Sequence, residues 1–295
     1  MSTDTSRLEG GSAPGTAGSI PDTRERSRTL TPPKWLGKAG EPLVTVGEIF
    51  RLGFRVFGMA IRQPYGYWAD TRDQCYSALK LCWFPMAVAT FAFGFGAPGL
   101  SGGAIFHIFG IPSRLGSFFQ FASIREFAPF IDGMVVAGVV GTAVTADLGA
   151  RKIREELDAM EVLGVDPIRA LIIPRVLAIT FMTAIFDVMA LIMGLISGYL
   201  AAGPVFGADL PAYTASLYDL LNVPDVIGSL AKAACFGLVI GVVSCYMGLN
   251  VKGGSIGVGR AVNQSVVIAF AGVWIVNFVF TSMLLGLSPS LYVFK

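Results

Sequence analysis

The chain has 295 residues, 54% hydrophobic and only 14% charged, with a mean hydropathy of +0.65 and a net charge of +2. Soluble globular domains carry roughly 25% charged residues, so this composition excludes an ordinary soluble protein and points to a chain that crosses a membrane several times. The small net charge calls for no nucleic-acid partner; where the 22 Lys and Arg residues lie says more than their sum.

Residues 1–40 are rich in Gly, Ser, Thr and Pro and lack an apolar run long enough for a secretory signal, which predicts a disordered tail. One all-α membrane domain is expected over 41–295. Within 47–63, Glu48, Arg51, Arg55 and Arg62 recur at helical spacing, and Phe50, Phe54, Phe57 and Ile61 follow the same period on the opposite side. A basic face opposite an aromatic face predicts a helix lying on a membrane surface, with a helix packed on a neighbour as the other reading.

Five apolar spans come next, at about 81–97, 115–146, 176–202, 233–251 and 266–287. The Gly/Pro/Ser-rich stretch 98–113 reads as a turn, 203–231 as a polar connection with Asp209, Asp219 and Asp225, and Lys232 and Lys252 bracket span four. Ten Lys and Arg precede Lys80, five lie between Arg151 and Arg175, and Lys252 and Arg260 separate the last two spans. The opposite side carries only Arg114 and Lys295. The positive-inside rule then puts the N terminus, 151–175 and 252–265 in the cytoplasm and the C terminus outside.

The segment 151–175, RKIREELDAMEVLGVDPIRALIIPR, is too charged for lipid and must lie in water. Ile153, Leu157 and Met160 recur at helical spacing against Arg151, Arg154, Glu155, Asp158 and Glu161, which predicts a short amphipathic helix. Gly164 stands where a C-terminal cap belongs, and Asp166-Pro167 supplies an N-cap and a favoured first helical residue. By itself this pattern fits either a docking helix that transmits movement between two spans or a solvated loop.

The run from Arg125 to Ala178 closely resembles the permease subunits of lipid-transporting ABC systems called MlaE or YrbE. The resemblance rests on the EExDA pattern, Glu155, Glu156, Leu157, Asp158 and Ala159, followed by Gly164 and Asp166-Pro167, and extends over roughly 45–290 through VKGGSIGVGRAVNQSVV. The wording ADLGARKIREELDAMEVLG and the long polar tail look most like the actinobacterial A-type permeases that work with Mce proteins. The resemblance implies a non-catalytic, multi-pass subunit of the bacterial plasma membrane, with an N-terminal elbow helix, five spans and an external C terminus. It also implies a second permease (a B-type partner, or a second copy), a cytoplasmic ATPase dimer that uses ATP and Mg, external Mce-family proteins and a lipid substrate: fatty acid, sterol or phospholipid. In that family the charged segment 151–175 is the coupling helix. Carried over, Arg154, Glu155, Glu156 and Asp158 contact the ATPase, Leu157, Ala159 and Met160 pack against it, and Gly164 ends the helix. One departure is Ala137-Gly138-Val139, where Gram-negative members have Arg after Ala-Gly; Arg125 is then the remaining cation inside span two.

The chain has no GxxxxGK[ST] phosphate loop, so energy from ATP must enter through a partner. Gly253-Gly254-Ser255-Ile256-Gly257 matches GxSxG, but the sole histidine, His107, is expected on the far side of the membrane, and a flexible glycine-rich loop is the better reading. Cys75, Cys82, Cys235 and Cys245 lack CxxC spacing, and no disulfide or metal is expected. Arg125 and Glu126 fit either a lipid-headgroup site or an ion pair between helices, and Asp132 and Asp187 fit structural or cavity-facing roles. Gly194 with Gly198, and Gly237 with Gly241, permit close helix approach. An ion-coupled transporter running on the intramembrane acids is the alternative function, and the broken-helix repeats it would need are not found.

Overall fold

The computed structural model describes residues 41–62, 66–219 and 221–287. The tail 1–40 and the C terminus at Lys295 lie outside them. The chain forms two units, 1–48 and 49–295. Of the first, the described part is a helical stretch, 41–48, with Leu43 and Val46 exposed. The second unit holds all five spans and both polar assemblies of the bundle.

Among the described residues there are eight helices and no strand. Helix α1 is Glu41–Arg62. The five candidate membrane spans are α2 Trp68–Ile108, α3 Pro112–Ile153, α5 Ile168–Val205, α7 Val223–Leu249 and α8, which runs Gly254–Leu287. Two short helices lie between spans: α4 Glu156–Val162 and α6 Leu210–Asp219. The protein is a multi-pass, all-α membrane protein with the five spans expected from hydropathy.

The spans are longer than their apolar runs, because hydropathy marks the part of a helix that suits lipid, whereas backbone hydrogen bonding continues past it. Helix α2 begins thirteen residues before 81 and takes Arg72, Asp73 and Lys80 with it. The 98–113 stretch is not a turn but remains helical to Ile108, and the turn is confined to 109–111, where Gly110 adopts φ +73°. Its glycines serve close packing: a Cβ at Gly102 would meet the Phe118 ring, and one at Gly99 would touch Ala201. Asp225 and Lys232 likewise lie inside α7 rather than in a connection. The turn before α8 is confined to 250–253, with Gly253 and Gly254 both at positive φ, so 254–265 is helix instead of a flexible loop.

Five stretches of these spans are π-helical: Phe95–Gly102, Gln120–Phe127, Ala137–Gly141, Ile168–Ile172 and Ala201–Val205. Pro98 and Pro204 lie inside two of them, and Pro129 and Pro174 come within two residues after two others. Proline has no N–H and its ring pushes on the carbonyl four residues back, so the local hydrogen-bond register widens there. The exception, Ala137–Gly141, contains Gly138 and Gly141.

Helices α5 and α7 form the centre. A Cβ at Gly237 would fall 2.8 Å from the Thr180 Cα, and one at Gly241 3.2 Å from the Val176 Cα, so the two backbones touch where the Gly237/Gly241 spacing allows it. Met86, Val136, Ile179, Phe186, Phe236, Ile240 and Val273 fill the surrounding core. At the other end of the bundle α6 lies against the start of α3: Ser216 donates to the Ser113 carbonyl at 2.7 Å and Ser117 to the Ser216 carbonyl at 2.8 Å. Burial there pushes the Tyr213 hydroxyl up, which keeps it a neutral phenol.

Within 49–62, α1 has three faces rather than the two read from its sequence. Phe50, Phe54, Phe57 and Ile61 are exposed together with Arg51, Arg55 and Arg62, while Leu52, Val56 and Met59 pack on the core.

Candidate functional site

Two polar assemblies share α3, one with α4 and α5 and the other with α7 and α8. The first surrounds α4. Helix α3 ends at Ile153, and Glu155 takes a left-handed backbone, φ 58°, the one non-glycine residue to do so among the described residues. The break separates Ile153 from Leu157, so the island is not one continuous helix; α4 starts afresh at Glu156. Its far end is closed by a complete Schellman motif. The Gly164 N–H donates to the Glu161 carbonyl at 3.0 Å and the Val165 N–H to the Met160 carbonyl at 2.9 Å, with Gly164 at φ +79°. Asp166 then accepts from the Ile168 N–H at 2.9 Å and caps α5.

Ion pairs tie α4 to the end of α3, and a further pair ties α3 to α5. Asp147 of α3 bonds Arg175 of α5 and, at 3.2 Å, Arg151 one turn along. Arg151 reaches Glu156 at 3.6 Å, Arg154 reaches Glu156 at 2.7 Å and Lys152 reaches Asp158 at 2.8 Å. Leu157 is buried in its own chain, Met160 is half-buried and Ala159 is exposed. The large apolar side chains most presented to solvent in this segment are Val162 and Leu163, 88% and 79% exposed. A cavity of about 320 Å³ opens beside this junction, with Ala78, Leu81, Val144 and Ile179 on its apolar walls and Asp147, Arg151 and Arg175 at its polar edge.

The second assembly lies deeper. Arg125 and Glu126 fall in the π-helical stretch of α3 and do not pair with each other. Arg125 holds Asp225 of α7 with two bonds, Nε to Oδ1 at 2.9 Å and Nη2 to Oδ2 at 3.2 Å, and its guanidinium lies over the Phe121 ring. Pro129 has no N–H for the Arg125 carbonyl four residues back. Lys232 Nζ donates to that carbonyl instead, at 2.7 Å, as well as to Thr281 at 2.8 Å and Glu126 at 3.2 Å. Three acceptors satisfy the ammonium's three donors. Glu126 also accepts from Asn277 at 2.9 Å and Thr281 at 2.8 Å, so α3, α7 and α8 meet at one carboxylate. That carboxylate remains 37% exposed while Lys232 is 3% exposed.

Asp132 and Asp187 are fully buried and belong to neither assembly. Ser229 donates to Asp187 Oδ2 at 2.7 Å; Asp187 Oδ1 and both Asp132 oxygens meet no donor among the described residues.

The family described as Permease MlaE matches residues 71–283, well over half the chain. The chain belongs to the MlaE permease family. The match contains every residue of both assemblies. Among relatives, the Arabidopsis thaliana protein TRIGALACTOSYLDIACYLGLYCEROL 1, chloroplastic, is 34% identical over 173 residues, 59% of this chain and 49% of the relative. A probable ABC transporter permease protein of Synechocystis sp. is 31% identical over 173 residues, 59% of this chain and 66% of the relative. One of Rickettsia typhi is 35% identical over 160 residues, 54% and 62% respectively. The matched segment thus spans from about half to about two thirds of these relatives' own length.

For this MlaE-family chain, sequence reasoning named Arg125 and Glu126 but missed their partners Asp225, Lys232, Asn277 and Thr281. Asp225 and Lys232 are seven residues apart, two turns along one helix face, and that spacing was the available signal. Asp147 and Arg175 were also missed, because their contact spans the whole island.

Proposed function

We propose that the chain is the membrane permease of an ATP-driven lipid transporter, with α4 as the helix on which a cytoplasmic ATPase seats. The observation that carries the reading is α4 itself. It is capped at its C-terminal end, tied by ion pairs to the end of α3, which Asp147–Arg175 joins to α5, and turns Val162 and Leu163 outward where water would otherwise disfavour them. Membership of the MlaE permease family supports it, as do relatives named as probable ABC transporter permeases. In this reading an ATPase dimer that uses ATP and Mg presses on α4, and Asp147–Arg175 passes the push to two spans at once. A second permease, of B type or a second copy, covers apolar side chains of α8 such as Trp274, Ile275 and Phe278, which are exposed. Mce-family proteins receive or deliver lipid on the outer side.

The substrate is a lipid with a polar head. Glu126, the exposed corner of the deep assembly, meets the headgroup, and apolar span surfaces meet the chains. One relative bears the name of a galactolipid, trigalactosyldiacylglycerol, which fits a substrate of this class.

Substituting Val162 and Leu163 with Asp tests the docking reading, since both are exposed and the fold does not depend on them. The ATPase should no longer co-purify with the permease in detergent, and lipid transport should be lost while the permease still accumulates in the membrane. Full retention of ATPase and transport would sink the reading.

A further inference from the structure

Charges inside the bundle do not balance. The deep interior of α3, α5 and α7 holds two cations, Arg125 and Lys232, and four acids, Glu126, Asp132, Asp187 and Asp225. Arg125 neutralises Asp225, and Lys232 neutralises Glu126. Asp132 and Asp187 are left over, one on α3 and one on α5, both at 0% exposure. Three of their four carboxyl oxygens meet no donor among the described residues, and Ser229 serves the fourth. Ile124 and Ala128 of α3 pack with Ala190 and Leu191 of α5, and one turn further along these antiparallel helices, four residues after Ala128 and four before Leu191, stand Asp132 and Asp187. Lys232 does not pair with Asp187, because its three donors are engaged by Arg125, Thr281 and Glu126.

A buried carboxylate without a donor costs several kcal/mol, and two facing each other in a low-dielectric interior cost more through repulsion. A bound cation removes both penalties. We propose that Asp132 and Asp187 form a proton-binding site at the centre of the span bundle, shared between α3 and α5. The occupant is a proton rather than a metal ion for two reasons. No group of three or more His, Cys, Asp or Glu able to hold a metal occurs among the described residues, and the Lys232 ammonium already occupies the polar approach from α7. Nothing in this inference depends on the identity of the transported substrate or on an ATPase.

Infrared absorption of the full chain, purified in detergent with its co-purifying subunits at neutral pH, tests it directly. The wild type should show the carbonyl stretch of a protonated carboxyl. That band should move on labelling with carbon-13 aspartate and not with carbon-13 glutamate. It should be lost in Asp132→Asn and in Asp187→Asn, and Asp132→Asn should melt at least as high as the wild type, since Asn has no charge to bury. If one variant does not accumulate, the other and the labelled wild type suffice, because the proton belongs to the pair. Absence of an aspartate-sensitive band in the wild type overturns the proposal, as does a band that survives both substitutions. A sodium- or potassium-dependent rise in melting temperature abolished by Asp132→Asn also overturns it, by assigning the site to a metal cation.

Discussion

The pairs that α4 itself makes stand in or near water, Lys152 at 35% and Asp158 at 59% exposure, whereas in the deep assembly Arg125 is 9% exposed and Asp225 fully buried. Both regions consist of ion pairs between segments, yet the physics differs. An exposed pair is screened and contributes about 0–1 kcal/mol. A buried pair gains little over an apolar replacement, but breaking it strands a charge. The pairs of α4 can therefore exchange partners at little cost, while the deep assembly fixes α3, α7 and α8 together. A bundle with a rigid interior and an adjustable end suits a helix that is to be pushed from one side.

The largest effect should come from Asp225→Ala. It leaves the Arg125 guanidinium buried without its carboxylate, at a cost of about 3–5 kcal/mol, read as a large fall in thermal midpoint in detergent. The double variant Arg125→Met with Asp225→Leu removes both charges and should recover most of the loss. A cost below about 1 kcal/mol for Asp225→Ala would erase the distinction between the two regions.

How far each region was legible in the sequence depends on the range of its interactions. The five spans, the capped island and the Gly164 stop depend on neighbours within a few turns, and the linear pattern carries them. Arg125 and Glu126 stood out as charges in an apolar run, but Asp225 looked like part of a polar connection. It is 100 residues from Arg125, and nothing local distinguishes a buried acid from a solvated one. The prolines and glycines of 98–103 misled for the opposite reason: they break helices in water, whereas packed spans absorb them as π-helical turns against Phe118 and Ala201. The left-handed Glu155 could not be read at all, because glutamate has no preference for that conformation.

Glu155 supplies an intermediate effect. A left-handed backbone costs a non-glycine residue about 1–2 kcal/mol, and glycine escapes it. Glu155→Gly should therefore raise the thermal stability by about 1 kcal/mol and leave the α3–α4 turn in place. If the carboxylate contacts the ATPase as the coupling reading requires, the same variant should bind the ATPase more weakly despite being more stable. Unchanged ATPase binding would make Glu155 a hinge and nothing more.

The smallest effect belongs to Lys152→Ala. Its bond to Asp158 is exposed, so the loss should be no more than about 0.5 kcal/mol at low salt and should vanish near 1 M salt, where the screening length falls to about 3 Å. A double-mutant cycle with Asp158→Ala, followed by thermal midpoints at both salt concentrations, isolates the pair from its surroundings. The same cycle on Arg125 and Asp225 should hold its coupling in high salt, because those charges are shielded by protein rather than by ions. Salt dependence at one end of α3 and its absence at the other would separate a junction that adjusts from an interior that does not, and equal salt dependence would dissolve that contrast.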